Sequence, residues 1–96
     1  MKDLYYANLY AVYGGLLTDS QADITESYYG LDLSLSEIAA EKGVTRQAVA
    51  DALKKARAQM DKFESIIGVL RLKKAIADFA QTLPEGERKK LIEILE

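Results

Sequence analysis

Residues 33–56 read LSLSEIAAEKGVTRQAVADALKKA, and their local chemistry spells two helices held at a fixed angle. Ser34 followed three residues later by Glu37 is a capping box. The hydroxyl takes the amide of residue 37 while the carboxylate reaches back to the amide of residue 34. The short helix it opens carries Ile38, Ala39 and Ala40 and runs about two turns to Gly43. Glycine just past a helix supplies the left-handed backbone conformation that a side chain resists, so Gly43 ends the helix and turns the chain. Thr45 caps the next helix at once. Val44, Val49 and Leu53 are predicted to face the core, Val44 plugging the corner, and Ala39 is small where the two helices cross. A short helix, a glycine turn and a capped second helix make a helix-turn-helix, whose second helix keeps its outer face free to enter a groove.

Working outward, Leu4, Tyr6, Leu9, Val12, Tyr13 and Leu16 recur at helical spacing and predict a first helix buried along one stripe, its end frayed by Gly14 and Gly15. Thr18 with Gln21 is a second capping box, opening a helix that runs to about Tyr29 and stops at Gly30. After Arg46 the apolar positions Val49, Leu53, Ala56, Met60, Phe63, Ile67 and Leu70 predict one long helix, bent near Ser65 or Gly68. Leu72, Ile76, Phe79 and Leu83 continue at heptad-like spacing, and Pro84 opens a last short helix with Leu91, Ile92 and Leu95. The expected architecture is all-α, a single helical domain over residues 1–96. Its helix-turn-helix core spans about 18–64 and a C-terminal helical oligomerisation segment about 65–96. Phe63, Ile67, Leu70, Ile76 and Phe79 exceed what so short a chain readily buries alone, so a homodimer or higher oligomer is expected.

Composition removes most other classes. The chain has no cysteine and no histidine, which excludes disulfide frameworks, thiolate nucleophiles, imidazole bases and the usual zinc sites. No enzyme activity, cofactor or metal is expected; Glu37 is explained by capping, and Asp32 and Glu41 by solubility. The N-terminal stretch MKDLYYANLYAVYGGLL lacks the layout of a signal peptide and nothing is long enough to span a bilayer, so the cytoplasm is the expected address. Net charge is −2, but residues 46–64 carry five bases against three acids, whereas residues 1–33 carry one against five. Positive charge is gathered on the long helix.

The stretch from residue 16 to residue 60 resembles the fourth conserved region of bacterial sigma factors. Closer is a resemblance to the YlxM family, carried by LLTDSQ at 16–21, YYGLDLSLSEIA at 28–39 and GVTRQAV at 43–49 with Asp51 following. It covers about residues 16–64 and departs from the family pattern beside Asp51, where Ala50 and Ala52 replace an aromatic and an amide. The resemblance implies a cytoplasmic helix-turn-helix protein encoded beside the signal recognition particle GTPase, regulating or assisting that pathway, with no enzyme activity.

The candidate nucleic-acid-binding residues are Thr45, Arg46, Gln47, Ala50, Asp51 and Lys54 on the outward face of the second helix, with Lys55 and Arg57 flanking. Arg46 and Gln47 could reach base edges, while Thr45 and the basic residues could hold phosphates. Asp51 would lie close to a polyanion and opposes this. DNA or structured RNA is the expected partner, and a protein adaptor that binds signal recognition particle components without nucleic acid is the alternative. Tyr5, Tyr6, Tyr10, Tyr13, Tyr28 and Tyr29 are either core residues with a surface hydroxyl, the simpler reading, or platforms on which bases stack. Lys73, Lys74, Arg88, Lys89 and Lys90 read as the wet faces of amphipathic helices.

Overall fold

The computed structural model describes residues 2–96, and these form six α-helices and no strand. α1 spans Leu4–Tyr13, with Asp3 as its cap: the carboxylate accepts from the Tyr5 amide at 2.9 Å. A tight turn over Gly14–Leu16 leads to α2, Asp19–Thr25, opened by the expected box of Thr18 and Gln21. The stretch to Gly30 is not a plain continuation. It widens into a single π turn, Glu26–Gly30, which swings Tyr28 and Tyr29 toward the start of α1. α3 spans Leu35–Lys42 and has the box of Ser34 and Glu37, both bonds being 3.0 Å.

Gly43 takes φ +68°, the left-handed turn anticipated for it, and Thr45 then caps α4, Arg46–Ile67, through the Ala48 amide. An added Cβ at Gly43 would meet no neighbour, so the cost of a side chain there is purely one of backbone conformation. Gly43→Val is therefore expected to cost at least about 1 kcal/mol of stability and to misalign α3 against α4, since a β-branched residue resists positive φ. Thermal melting checks the cost, and an unchanged melting temperature would refute the turn's role.

Two packed clusters sit along α4. Near its start Val49 and Leu53 meet Ile24, Ile38 and Ala39 from α2 and α3, and this cluster fixes the helix-turn-helix. Further on Ala56 and Met60 meet Leu9, Tyr13 and Leu17 from α1 and the turn after it. Lys42 pairs with Asp23, tying α3 to α2. Lys2 ties the N-terminus to the loop before α3, donating to the carbonyls of Tyr28 and Leu33 at 2.7 and 2.6 Å.

Several expected core positions lie outside these clusters. Val44 is 48% exposed, because the left-handed turn at Gly43 carries residue 44 past the corner it was expected to fill. Leu4 and Leu16 are exposed as well: α1 meets α4 along the line of Tyr6, Leu9 and Tyr13, which leaves Leu4 outside it.

The long helix does not bend at Ser65 or Gly68 but ends. Gly68 has φ +72°, and α5, Val69–Ala80, leaves in a new direction before α6, Glu85–Leu95, folds back on it. The Cα radius of gyration is 16.2 Å, against about 12.5 Å for a compact chain of this length. The molecule is elongated, with extents of 52 × 25 × 20 Å.

A glycine joint offers no side chain to cap α5, and other groups do so. Glu64, buried on the last turns of α4, accepts from the Leu70 and Arg71 amides at 3.0 and 2.9 Å and from the Tyr13 hydroxyl at 2.6 Å. The Tyr13 oxygen in turn accepts from the Val69 amide at 3.1 Å. Three first-turn amides of α5 are thus satisfied from α4 and α1. The Tyr13 hydroxyl, assisted by those amides, holds the Glu64 carboxyl below its usual range against the opposing effect of burial.

Candidate nucleic-acid interface

The packing of Val49 and Leu53 settles which side of α4 faces solvent. Thr45, Arg46, Gln47, Asp51, Lys54 and Lys55 are exposed and Ala50 is half-buried at the edge of the packed face. Thr45 spends its hydroxyl on the cap, accepting from the Ala48 amide at 3.0 Å, so it is committed to the helix before it meets any ligand. Gln47 donates its side-chain amide to Asp51 at 2.9 Å, one turn on. That bond engages one oxygen of the Asp51 carboxylate, whose charge still opposes a polyanion, and leaves the Gln47 carbonyl oxygen and its second amide hydrogen available. Among the described residues, Arg46, Lys54 and Lys55 have no ion pair. The face therefore carries three cations without ion pairs and one carboxylate, around one ordered amide.

Arg57 does not join them as a free flanking cation. It is half-buried, its Nε donates to the Tyr29 hydroxyl at 2.8 Å, and its guanidinium lies 5.6–5.8 Å from the ring centroids of Tyr6, Tyr28 and Tyr29. Burial raises the Tyr29 hydroxyl above its ordinary value, while the bond from Arg57 pulls the other way. The Tyr6 hydroxyl is raised chiefly by its bond to Asp61, 2.9 Å long. This cluster was invisible to helical spacing, because Tyr6, the 28–29 pair and Arg57 come from three separate elements. The only advance signal was the density of tyrosine itself.

The wet-face reading of Lys73 and Lys74 stands, both being exposed. They rim an apolar groove of about 1110 Å³ between α1, the end of α4 and the hairpin, with Leu4, Val12, Leu70 and Ile92 in its walls. No helix among the described residues is long and apolar enough to cross a membrane.

A left-handed glycine turn between two capped helices, with the second helix rolled so that a basic face is free, defines a helix-turn-helix protein. Comparison with known proteins places it more closely: the family described as "UPF0122: Putative helix-turn-helix protein, YlxM / p13 like" matches residues 1–95. The chain belongs to that family. A UPF0122 protein of Desulforamulus reducens is 41% identical over 96 residues, which cover 99% of this chain and 73% of the relative. A relative from Fusobacterium nucleatum is 34% identical over 93 residues, covering 93% of this chain and 90% of its own. The likeness is wider than the motifs at 16–64 indicated, since it takes in α1 and the C-terminal hairpin.

Proposed function

We propose that this chain is a non-enzymatic regulator acting in the cytoplasm, which binds DNA or structured RNA through the exposed face of α4. The observation that carries the reading is the set of cations without ion pairs, Arg46, Lys54 and Lys55, on a helix whose roll is locked by Val49 and Leu53. Phosphates would meet the cations, and Gln47, ordered by Asp51, would present its amide to a base edge. Arg46 gives the cleanest test. It sits in the first turn of α4, where a cation is slightly disfavoured by the helix dipole, so it has little stabilising work. Arg46→Ala is expected to leave the melting temperature nearly unchanged. It should weaken binding by roughly 1 to 3 kcal/mol if Arg46 reads a base, or lower the salt slope by about one if it meets phosphate. Anisotropy titrations over a range of salt measure both, and unaltered binding would sink the assignment.

In this reading residues 65–96 pair two copies and so present two α4 faces together. Ile66 and Ile67 at the end of α4, Leu72 and Phe79 on α5 and Ile94 on α6 are exposed, which supports that pairing. Sedimentation at about 100 micromolar is expected to give a dimer or larger species, and a monomer there would rule the pairing out, since a seam of this length should associate well below that concentration.

The apolar groove beside α1 favours a second reading, in which the chain is an adaptor for a protein such as the signal recognition particle GTPase. That association would be salt-tolerant and would survive nuclease in a pull-down with the purified GTPase, whereas nucleic-acid binding falls steeply with salt.

A further inference from the structure

Three tyrosine rings, from α1 and the π turn, surround the Arg57 guanidinium of α4. We propose that the pocket bounded by Lys2, Tyr6, Tyr28, Tyr29 and Arg57 binds one unstacked nucleotide, its phosphate on the Arg57 terminal nitrogens and its base against the tyrosine rings. The inference rests on the nucleic-acid reading above and adds to it a ligand class, a single-stranded or looped-out nucleotide.

Arg57 is held for such a role. The bond from Nε to Tyr29 and the surrounding rings fix its plane, while its terminal nitrogens make no hydrogen bond or ion pair among the described residues. A planar fork so positioned suits two oxygens of one phosphate. Lys2 is spent differently, on the Tyr28 and Leu33 carbonyls and on Asp32 at 3.2 Å, and its ammonium lies 4.0 Å over one face of the Tyr28 ring, so a base would meet the ring's other face or edge. The hydroxyls of Tyr6 and Tyr29 are bonded to Asp61 and Arg57, whereas that of Tyr28 has no partner among the described residues. The space between these groups is about 760 Å³, ample for a nucleotide.

The carboxylates of Asp3 and Asp32 also line it. Both are engaged, Asp3 in capping α1 and Asp32 with Lys2, and both oppose a bare phosphate while accepting readily from the amino groups of a base. The pocket therefore favours a whole nucleotide over inorganic phosphate. Its position suits the candidate interface. Arg57 follows the exposed Lys54 by three residues, which on an α-helix is about 4.5 Å along the axis and about 60° around it, so a strand that meets Lys54 can turn toward the pocket. A base still paired in a duplex cannot enter the ring cluster, but an unstacked one can, and stacking on aromatic rings tolerates any base.

The test uses a labelled, mixed-sequence single strand of about twelve nucleotides and the matching duplex, titrated by anisotropy against the full chain and its variants. Tyr28→Leu is expected to weaken single-strand binding about tenfold, within the range for one stacked base, and to leave duplex affinity unmoved; Tyr28→Phe retains single-strand binding. Circular dichroism melting confirms that each variant is folded. If Tyr28→Leu melts below the assay temperature, Arg57→Lys decides, since it keeps the charge and loses the fork, and the same selective loss is expected. Wild-type single-strand affinity in the folded variant overturns the pocket, and a simultaneous loss in Arg46→Ala then leaves the nucleic-acid reading standing. Binding of neither probe by the wild type overturns both.

Discussion

Glu64→Ala is expected to lower the unfolding free energy by about 3 kcal/mol, although residue 64 touches nothing in the candidate interface. Truncation leaves the Leu70 and Arg71 amides and the Tyr13 hydroxyl without their acceptor at a site closed to water on most sides. Each buried donor left unpaired costs about 1 to 3 kcal/mol, and the three are not additive because they share one carboxylate. Urea unfolding followed by circular dichroism measures the loss; a change within about 0.5 kcal/mol would refute the clasp. The acid side of the stability profile carries a second signature. The folded-state pKa of Glu64 lies below its unfolded value, so its contribution is fully present above the ordinary carboxylate range and is lost as pH falls through the depressed value. Glu64→Gln should flatten that limb. It should not abolish it, because Glu37, lowered by its bonds within the Ser34 box, contributes with the same sign.

The second large effect is expected at Leu53, where alanine should cost about 3 kcal/mol. Leu53 is 1% exposed and lies between Ile24, Ile38 and Val49, so its removal opens a cavity at the crossing of α2, α3 and α4. The loss is a large share of the 5 to 15 kcal/mol typical of a domain. On the proposed reading, nucleic-acid binding should fall with it even where the variant remains folded, because Leu53 sets the roll of α4 and thereby the direction of Arg46, Gln47 and Lys54. A lower urea midpoint with an unchanged slope would mark a cavity, while a changed slope would mean altered compactness instead.

These two positions differ in how far the sequence reveals them. Leu53, like Val49, Ala56 and Met60, is legible from helical period alone, and the caps at Thr18, Ser34 and Thr45 and the turn at Gly43 are legible from local bonding chemistry. Such features depend on neighbours within about four residues. Glu64 depends on Tyr13, 51 residues earlier, and on amides beyond a glycine joint, so a polar residue on a helix gave no hint of burial. Arg57 is similar: charge and spacing put it on the basic segment, and only the return of Tyr29 from 28 residues away draws it into a ring cluster. Gly68 was visible as a weak point. Whether it bends or ends a helix depends on what caps the next one. The candidate face, Thr45 to Lys55, was legible in outline because it is the complement of a buried stripe, whereas the Gln47–Asp51 bond that organises it was not.

That α4 lines both packed clusters also orders the assembly of the chain. The contacts of Ile38 with Val49 and Leu53 close loops of 11 and 15 residues and those of Ile24 loops of 25 and 29, whereas docking Leu9 and Tyr13 onto Ala56 and Met60 brings together segments more than forty residues apart. Closure entropy rises with the length enclosed, so the shorter circuits form at lower cost. The three helices from α2 to α4 can therefore meet first, leaving the far half of α4 as a ready template on which the N-terminal helix arrives late. A substitution on the Leu9 side would then act mainly by hastening unfolding, and one at Val49 by slowing the search for the native state.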